Sequence, residues 1–418
     1  MSARGTQVVR PRKPRLLVVP HIYAEDISVR EIEFARRLTR HFDTYCLAWR
    51  DAQHVDGPRS LGRQWRQFRT ALGSALASTR LRREAGELTY VRARVWQPLL
   101  LQRFTGVRRA IEFCQLANAR MLERIVRKCG IDYVLVAGAN IRLPEIPGVH
   151  GFFDVVDWFA EDVLSPEKSA LEREQVCRLA AGAEGVFAVS EPLAEKLAAD
   201  CGIRAVPLPN GADLANLRSV PADRVVELRR RLGLEGKFVI GYVGNLGSYA
   251  GVDFLLEAFL AVRRRIPEAA LLLVGPAEYW RRRIEAARDK GVVWTGPVAP
   301  REVPAYFNAL DVGVLAQEKT LFTELAFQIK VVEYTACRKF VVSAPLLTWE
   351  RLAWPNVFLA GLRVEAWVDA LLRARHSEWR AEWDGLVAPY DWNTLADRIA
   401  SVMLKDKVPA AEALPCVS

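Results

Sequence analysis

Long apolar runs are missing from these 418 residues, and no stretch reaches the roughly 18 to 20 residues that a bilayer-crossing helix needs. The basic start, MSARGTQVVRPRKPR, has no apolar segment behind it to act as a signal peptide, so a cytoplasmic location is expected. No Cys-x-x-Cys pair occurs. The seven cysteines (Cys46, Cys114, Cys129, Cys177, Cys201, Cys337 and Cys416) are odd in number and scattered, which argues against a zinc site and a disulfide framework alike. Reduced and mostly buried thiols are the expectation. A repeat of fixed period is also absent, which excludes solenoids and propellers.

What is present is a globular balance, 51% hydrophobic and 26% charged, in a chain too long for one ordinary core and suited to two domains. The net charge of +10 is uneven, because residues 1–110 hold 22 Lys and Arg against nine Asp and Glu. Such a surplus suits an anionic partner, whether lipid headgroup, pyrophosphate or nucleic acid, and it equally suits a plain solvated face. No nucleic-acid-binding motif accompanies it, so no nucleic acid partner is expected.

Short β-branched runs alternate with helical patterns. Leu16-Leu17-Val18-Val19 reads as a strand and leads into a helix through Ile32, Phe34, Ala35 and Leu38. Further strands are expected at 45–49, 132–136 and 151–156, while Arg-, Leu- and Trp-rich residues 60–128 read as helical. A second series follows at 238–243, 271–275, 292–294, 312–315 and 340–342. Alternation of this kind predicts two α/β domains with doubly wound parallel sheets. The expected division is a basic tail at 1–14, a first domain at 15–208, and a second at 209–387 entered through the hinge Pro207-Leu208-Pro209-Asn210-Gly211. A helix at 388–403 returns to the first domain, and a disordered tail follows at 404–418.

In open α/β sheets ligands bind beyond the carboxyl ends of strands. After strand 238–243 comes Gly244-Asn245-Leu246-Gly247-Ser248-Tyr249-Ala250-Gly251, then a helix from Val252. Its glycines would let main-chain amides approach a phosphate, although its spacing matches neither the dinucleotide fingerprint nor a P-loop. Lys330-Val331-Val332-Glu333-Tyr334 opens another helix, with Lys330 and Glu333 on one face. That pair could offer an ammonium to phosphate and a carboxylate to ribose hydroxyls; a surface ion pair explains the spacing as well. Asp157, in Asp154-Val155-Val156-Asp157, falls at the carboxyl end of its strand, where it could orient or deprotonate an acceptor hydroxyl, or simply cap a helix. His150 begins the same strand and reads as structural; His21 follows the first strand and is a secondary candidate.

Several segments, in order, resemble the retaining GT-B glycosyltransferases of the large family four, over roughly residues 180–400. Phe187-Ala188-Val189-Ser190-Glu191-Pro192 is similar to the family's strand-plus-Ser segment, and Leu208-Pro209-Asn210-Gly211-Ala212-Asp213 to its interdomain signature. The Gly244 loop, Leu273-Val274-Gly275, Gly296-Pro297-Val298 and Lys330 to Ser343 match its donor-binding segments. The resemblance implies two Rossmann-like domains facing across a cleft. It assigns the base to Gly296, Pro297 and Val298, the ribose to Glu333, and the diphosphate to the loop of Gly244, Asn245, Gly247 and Ser248, with Lys330 the candidate to supply the positive charge. Three departures stand out: Asn245 and Ala250 replace the loop's usual Arg and Lys, Glu324 lies one position too far from Glu333 for the family's glutamate pair, and the first domain matches poorly.

On that basis Asp157, Lys330 and Glu324 are the expected catalytic residues, with Thr320 and Thr323 also near the sugar. The expected substrate is a nucleotide-sugar, UDP-linked before GDP-linked, with no separate cofactor. The chain holds no Asp-x-Asp, so leaving-group charge falls to amides, helix N-termini and Lys330 without a metal. The acceptor would be a glycan or lipid-linked saccharide of a cell-surface polysaccharide. The basic segment with Trp65, Phe68, Arg69, Leu76, Arg80, Leu81, Arg82 and Arg83 would rest on an anionic membrane at the inner face. A sugar-nucleotide epimerase of the same architecture and an inactive sugar-nucleotide-binding partner are the other classes left open.

Overall fold

The computed structural model describes residues 12–21, 30–48, 79–84, 88–98, 101–138, 141–158, 166–277 and 279–404, with residues 65, 69, 72, 73 and 76 singly. Both expected tails fall outside these, apart from residues 12–14 and Leu404. Two compact units divide the chain: Met1–Gln53, Gln67–Phe153 and Gly182–Gly185 form one; His54–Arg66, Asp154–Ala181 and Val186–Ser418 form the other.

In the first unit, β1 (Arg15–Val19) is the strand expected from its apolar run; Leu16 to Val19 are buried. A strand buried on both faces reads as a continuous apolar run rather than an alternating one. Helix α1 (Arg30–Leu38) buries Ile32, Phe34, Ala35 and Leu38, and then β2 (Asp43–Ala48) returns parallel to β1. Strands β3 (Arg80–Arg83) and β4 (Thr89–Arg92) form an antiparallel pair, β4 running parallel to β2. These two correct the expected helix over 60–128. All four residues of β3 are exposed, so its Arg-Leu-Arg-Arg composition reflects an outer edge and carries no strand periodicity. The helical expectation holds for α2 (Val107–Cys129), which ends on Gly130 at φ 59°. It leads to β5 (Tyr133–Ala137), parallel to the other side of β1, and to β6 (His150–Val155). Within this unit the strand order is β3-β4-β2-β1-β5-β6, so chain direction along the sheet reverses between β1 and β5.

The second unit begins with α3 (Pro166–Ala181), the parallel pair β7 (Gly185–Ala188) and β8 (Val206–Pro207), and α4 (Glu191–Cys201). Cys177 on α3 and Cys201 on α4 are joined by a disulfide, which corrects the reading of all seven cysteines as thiols. Spacing could not reveal it, because two helices bring together cysteines 24 positions apart. Cys46, Cys114, Cys129 and Cys337 are free and buried; burial pushes the Cys114 thiol up to about 11 and that of Cys337 to about 12.

The main sheet of this unit is parallel throughout, in the order β11-β10-β9-β12-β13-β14. Its strands are β9 (Phe238–Val243), β10 (Ala269–Val274), β11 (Val292–Trp294), β12 (Val312–Leu315), β13 (Phe340–Ser343) and β14 (Val357–Leu359), the last not anticipated from sequence. Helix α5 (Val252–Arg265) joins β9 to β10. After β12 come α6 (Leu321–Leu325), α7 (Ile329–Ala336) and, past β13, α8 (Leu347–Leu352). The closing helix α9 (Trp392–Met403) sets Trp392 against Gly211, where any Cβ would lie 2.6 Å from the indole. Direction reverses between β9 and β12, the position at which doubly wound sheets bind ligands.

Candidate functional site

At the β9/β12 reversal the glycine loop leaves β9 and is laced to its neighbours by main-chain bonds. Gly244 N–H donates to Val274 O at 2.9 Å, Leu246 N–H to Pro276 O at 2.9 Å, and Gly275 N–H to Gly296 O at 2.9 Å. Side chains reinforce the lacing: Trp280 Nε1 donates to Gly247 O and Trp294 Nε1 to Gly275 O, each at 2.9 Å. Two glycines have no substitute. Gly275, at φ 126°, would put a Cβ 2.0 Å from Gly244 O; Gly251, at φ 64°, would put one 1.8 Å from Ala316 O.

Helix α7 presents Lys330 and Glu333 to this loop. The Lys330 stem passes Gly244, whose Cβ would meet Cε at 2.7 Å, and its ammonium donates to Glu333 Oε2 at 2.7 Å. Phe307 lies beneath that ammonium, 5.6 Å from its ring centre. Tyr334 fixes the helix from below: its hydroxyl donates to Gly241 O, accepts from Val243 N–H at 3.3 Å, and its ring packs where Gly313 leaves room. Burial raises the Tyr334 hydroxyl well above its ordinary value, so it stays a neutral hydrogen-bonding anchor. Only an apolar helix face in the sequence hinted at this anchor.

The remaining expected residues fall as follows. Asn245 and Ser248 are exposed on the loop, and Gly296, at φ 69°, begins the Gly-Pro-Val turn beside Gly275. Asp157 lies just past the end of β6, close enough to Tyr249 that its charge, after burial, raises the tyrosine hydroxyl above its ordinary value. Glu324 Oε1 accepts from Leu347 N–H at 3.3 Å, capping α8, and Oε2 lies 3.7 Å from Lys319. Thr320 and Thr323 form the capping box of α6. Both family-like segments converge here: Ser190 Oγ donates to Leu325 O at 2.5 Å, and Asn210 Nδ2 to Phe327 O at 3.2 Å. They hold the segment that feeds α7. Among the described residues no three His, Cys, Asp or Glu side chains are grouped to hold a metal, and no helix is long and apolar enough to cross a membrane.

In the first unit, His150 stacks on Tyr133 at 5.0 Å and bonds Glu184 at 2.8 Å, a structural arrangement. His21 sits after β1 against Gly138, and both its main-chain N–H and its Nδ1 engage Glu31 Oε1. Burial pushes the Glu31 carboxyl up, but the charge of His21, its hydrogen bond and Arg30 outweigh that and hold it below its ordinary value. A carboxylate whose folded value is depressed adds stability above its unfolded value, and the contribution is lost as pH falls through the folded one. Acid titration of unfolding should therefore show this unit weakening below the ordinary glutamate range; Glu31→Gln should flatten that limb, and an unchanged limb would contradict the assignment.

Residues 237–376 match the family model described as Glycosyl transferases group 1. The chain is 30% identical over 132 residues to Bacillus subtilis (strain 168) TuaH, named for teichuronic acid biosynthesis, an alignment covering 30% of this chain and 31% of that one. It is 37% identical over 109 residues to a Mycobacterium tuberculosis protein named GDP-mannose-dependent alpha-(1-6)-phosphatidylinositol monomannoside mannosyltransferase, covering 25% and 28%. Less than a third of these relatives' lengths is thus spanned. Among solved structures, sucrose-phosphate synthase from Thermosynechococcus elongatus aligns with TM-score 0.69 at 15% identity, over 94% of this chain and 99% of that one. The fold is GT-B, as the family resemblance had implied.

Proposed function

We propose that this chain, which carries a group 1 glycosyl transferase domain on a GT-B fold, moves a sugar from a nucleotide-sugar to a saccharide hydroxyl. The observation that carries the reading is the Lys330–Glu333 pair, set against Gly244 at the point where the second sheet reverses. A diphosphate held there would meet an ammonium and the loop amides that are not already bonded to Val274, Pro276 and Gly247, beside a glycine at 244 that leaves room for the lysine stem. Glu333 would take the ribose hydroxyls, the Gly296-Pro297-Val298 turn the base, and Gly244, Asn245, Gly247 and Ser248 the phosphates.

As the glycosidic carbon–oxygen bond to phosphate breaks, negative charge grows on the leaving oxygen, and Lys330 with the loop amides would stabilise it without a metal ion. The acceptor oxygen bonds to the same carbon and its proton passes to the leaving phosphate or to Asp157, giving retention when attack comes from the departing face. Glu324 would reach the sugar only by releasing the α8 cap that it makes here. The relatives' names favour a cell-surface glycan or a lipid-linked acceptor, and one of them names a GDP-sugar donor. We place UDP-linked donors first and GDP-linked donors second, with the acceptor reached at an anionic membrane face.

A panel of labelled UDP- and GDP-sugars tests the reading with the full chain. One donor should bind and be slowly hydrolysed to sugar and nucleoside diphosphate. Epimerised donor, or binding without any release, would replace the proposal with another class.

A further inference from the structure

Helix α2 runs for 23 residues, about 34 Å at 1.5 Å per residue. Its inner face buries Ala110, Cys114, Met121, Leu122, Ile125, Val126 and Cys129 in the core of the first unit. The opposite face is unusual: Arg109, Phe113, Leu116, Arg120, Arg124 and Arg127, each three or four positions after the last, form one exposed stripe. Phe113 and Leu116 are about half exposed, at 49% and 48%. Among the described residues the four arginines of this stripe make no ion pair or side-chain hydrogen bond, whereas Arg108 on the flank pairs with Glu112. Two carboxylates, Glu112 and Glu123, flank the stripe on one side, and neither forms an ion pair with its arginines.

Four guanidiniums along one face, none in an ion pair and outnumbering the two flanking carboxylates, ask for an extended negative partner, and two apolar side chains among them ask for a partner with an apolar layer beneath its charge. A phosphate backbone lacks such a layer. A protein partner would need a surface of several hundred Å² with a shaped centre, and a single convex helix face one residue wide supplies neither. A bilayer surface supplies both layers and asks for no fitted shape.

We propose that α2 is the membrane-docking element of this protein, lying along an anionic phospholipid surface with its arginines on headgroup phosphates and Phe113 and Leu116 in the interfacial layer. This deepens, and rests on, the proposed contact with an anionic membrane face. The contact is electrostatic first, so it weakens with salt.

Co-sedimentation of the full chain with phosphatidylcholine vesicles, with and without phosphatidylglycerol, tests it. Binding should require phosphatidylglycerol. Each arginine replaced by Gln should weaken partitioning about fivefold at low salt, so the fourfold variant R109Q/R120Q/R124Q/R127Q should lose several hundredfold. F113S/L116S should be roughly tenfold weaker yet keep its salt dependence. Removing the same charge from exposed Arg204, Arg224, Arg288 and Lys290 of the second unit should change little. Circular dichroism and sugar-nucleotide binding check that each variant folds. Wild-type chain that ignores phosphatidylglycerol vesicles, a fourfold variant that partitions like wild type, or capture by nucleic acid or an acidic protein in place of vesicles would overturn the proposal. Loss of every sugar-nucleotide signal with vesicle binding intact would instead bring down the enzymatic reading alone.

Discussion

Replacing Lys330 by Ala should lower kcat/KM for the donor by roughly two to three orders of magnitude, the size expected when one charged stabiliser of a developing oxyanion is removed. In the proposed site its ammonium would supply the charge that the loop itself lacks, since Asn245 and Ala250 bring none. Steady-state rates with the donor identified by the panel provide the measurement. Arginine should not restore activity, because the lysine stem runs so close to Gly244 that a Cβ there would touch Cε, and a planar guanidinium needs more room. Glu333→Gln should act differently, raising KM about tenfold with a smaller change in kcat, because ribose contacts persist from ground state to transition state. Unchanged kinetics for Lys330→Ala would remove the site from consideration.

Gly251→Ala should be among the most damaging single methyls in the second unit. The residue sits at φ 64°, where a side chain costs about 1–2 kcal/mol, and the new Cβ would lie 1.8 Å from Ala316 O. Neither the start of α5 nor the exit of β12 can move without breaking hydrogen bonds, so a total loss of about 3–5 kcal/mol is expected. The comparison variant is Gly296→Ala: its φ of 69° is equally strained, but no atom lies within 4 Å of the added carbon, and about 1–2 kcal/mol is the whole expected cost. Urea unfolding of the two variants side by side decides the matter; equal midpoints would mean that the loop yields easily. Donor binding should fall with Gly251→Ala even where the protein stays folded, since the displaced amides belong to the loop proposed to hold the phosphates.

Much of this was legible in the chain. Interior parallel strands such as β9 and β10 announce themselves as unbroken apolar runs, and the helices starting at Val252 and Trp392 begin where their patterns begin. What failed to show has a common cause: it depends on partners far away in sequence. Strand β3 looks helical because an exposed edge selects for charge, and the Cys177–Cys201 bond exists only because α3 and α4 pack together. Glu324 reads as a candidate for sugar chemistry from its position, yet its carboxylate caps a helix that begins 23 residues later. The approach of Asp157 to Tyr249, and of Ser190 and Asn210 to the segment before α7, required the fold.

The 2.7 Å contact between Lys330 and Glu333 makes the lysine's charge a shared asset. If the proposed site holds, a bare phosphate or pyrophosphate arriving at the loop would compete with a built-in counterion and gain little. A whole nucleotide would give that counterion something else to hold, two sugar hydroxyls, while its phosphates took the ammonium. Discrimination against the cell's abundant inorganic anions would then follow from one salt bridge, because neither half of the ligand can collect the full interaction without the other.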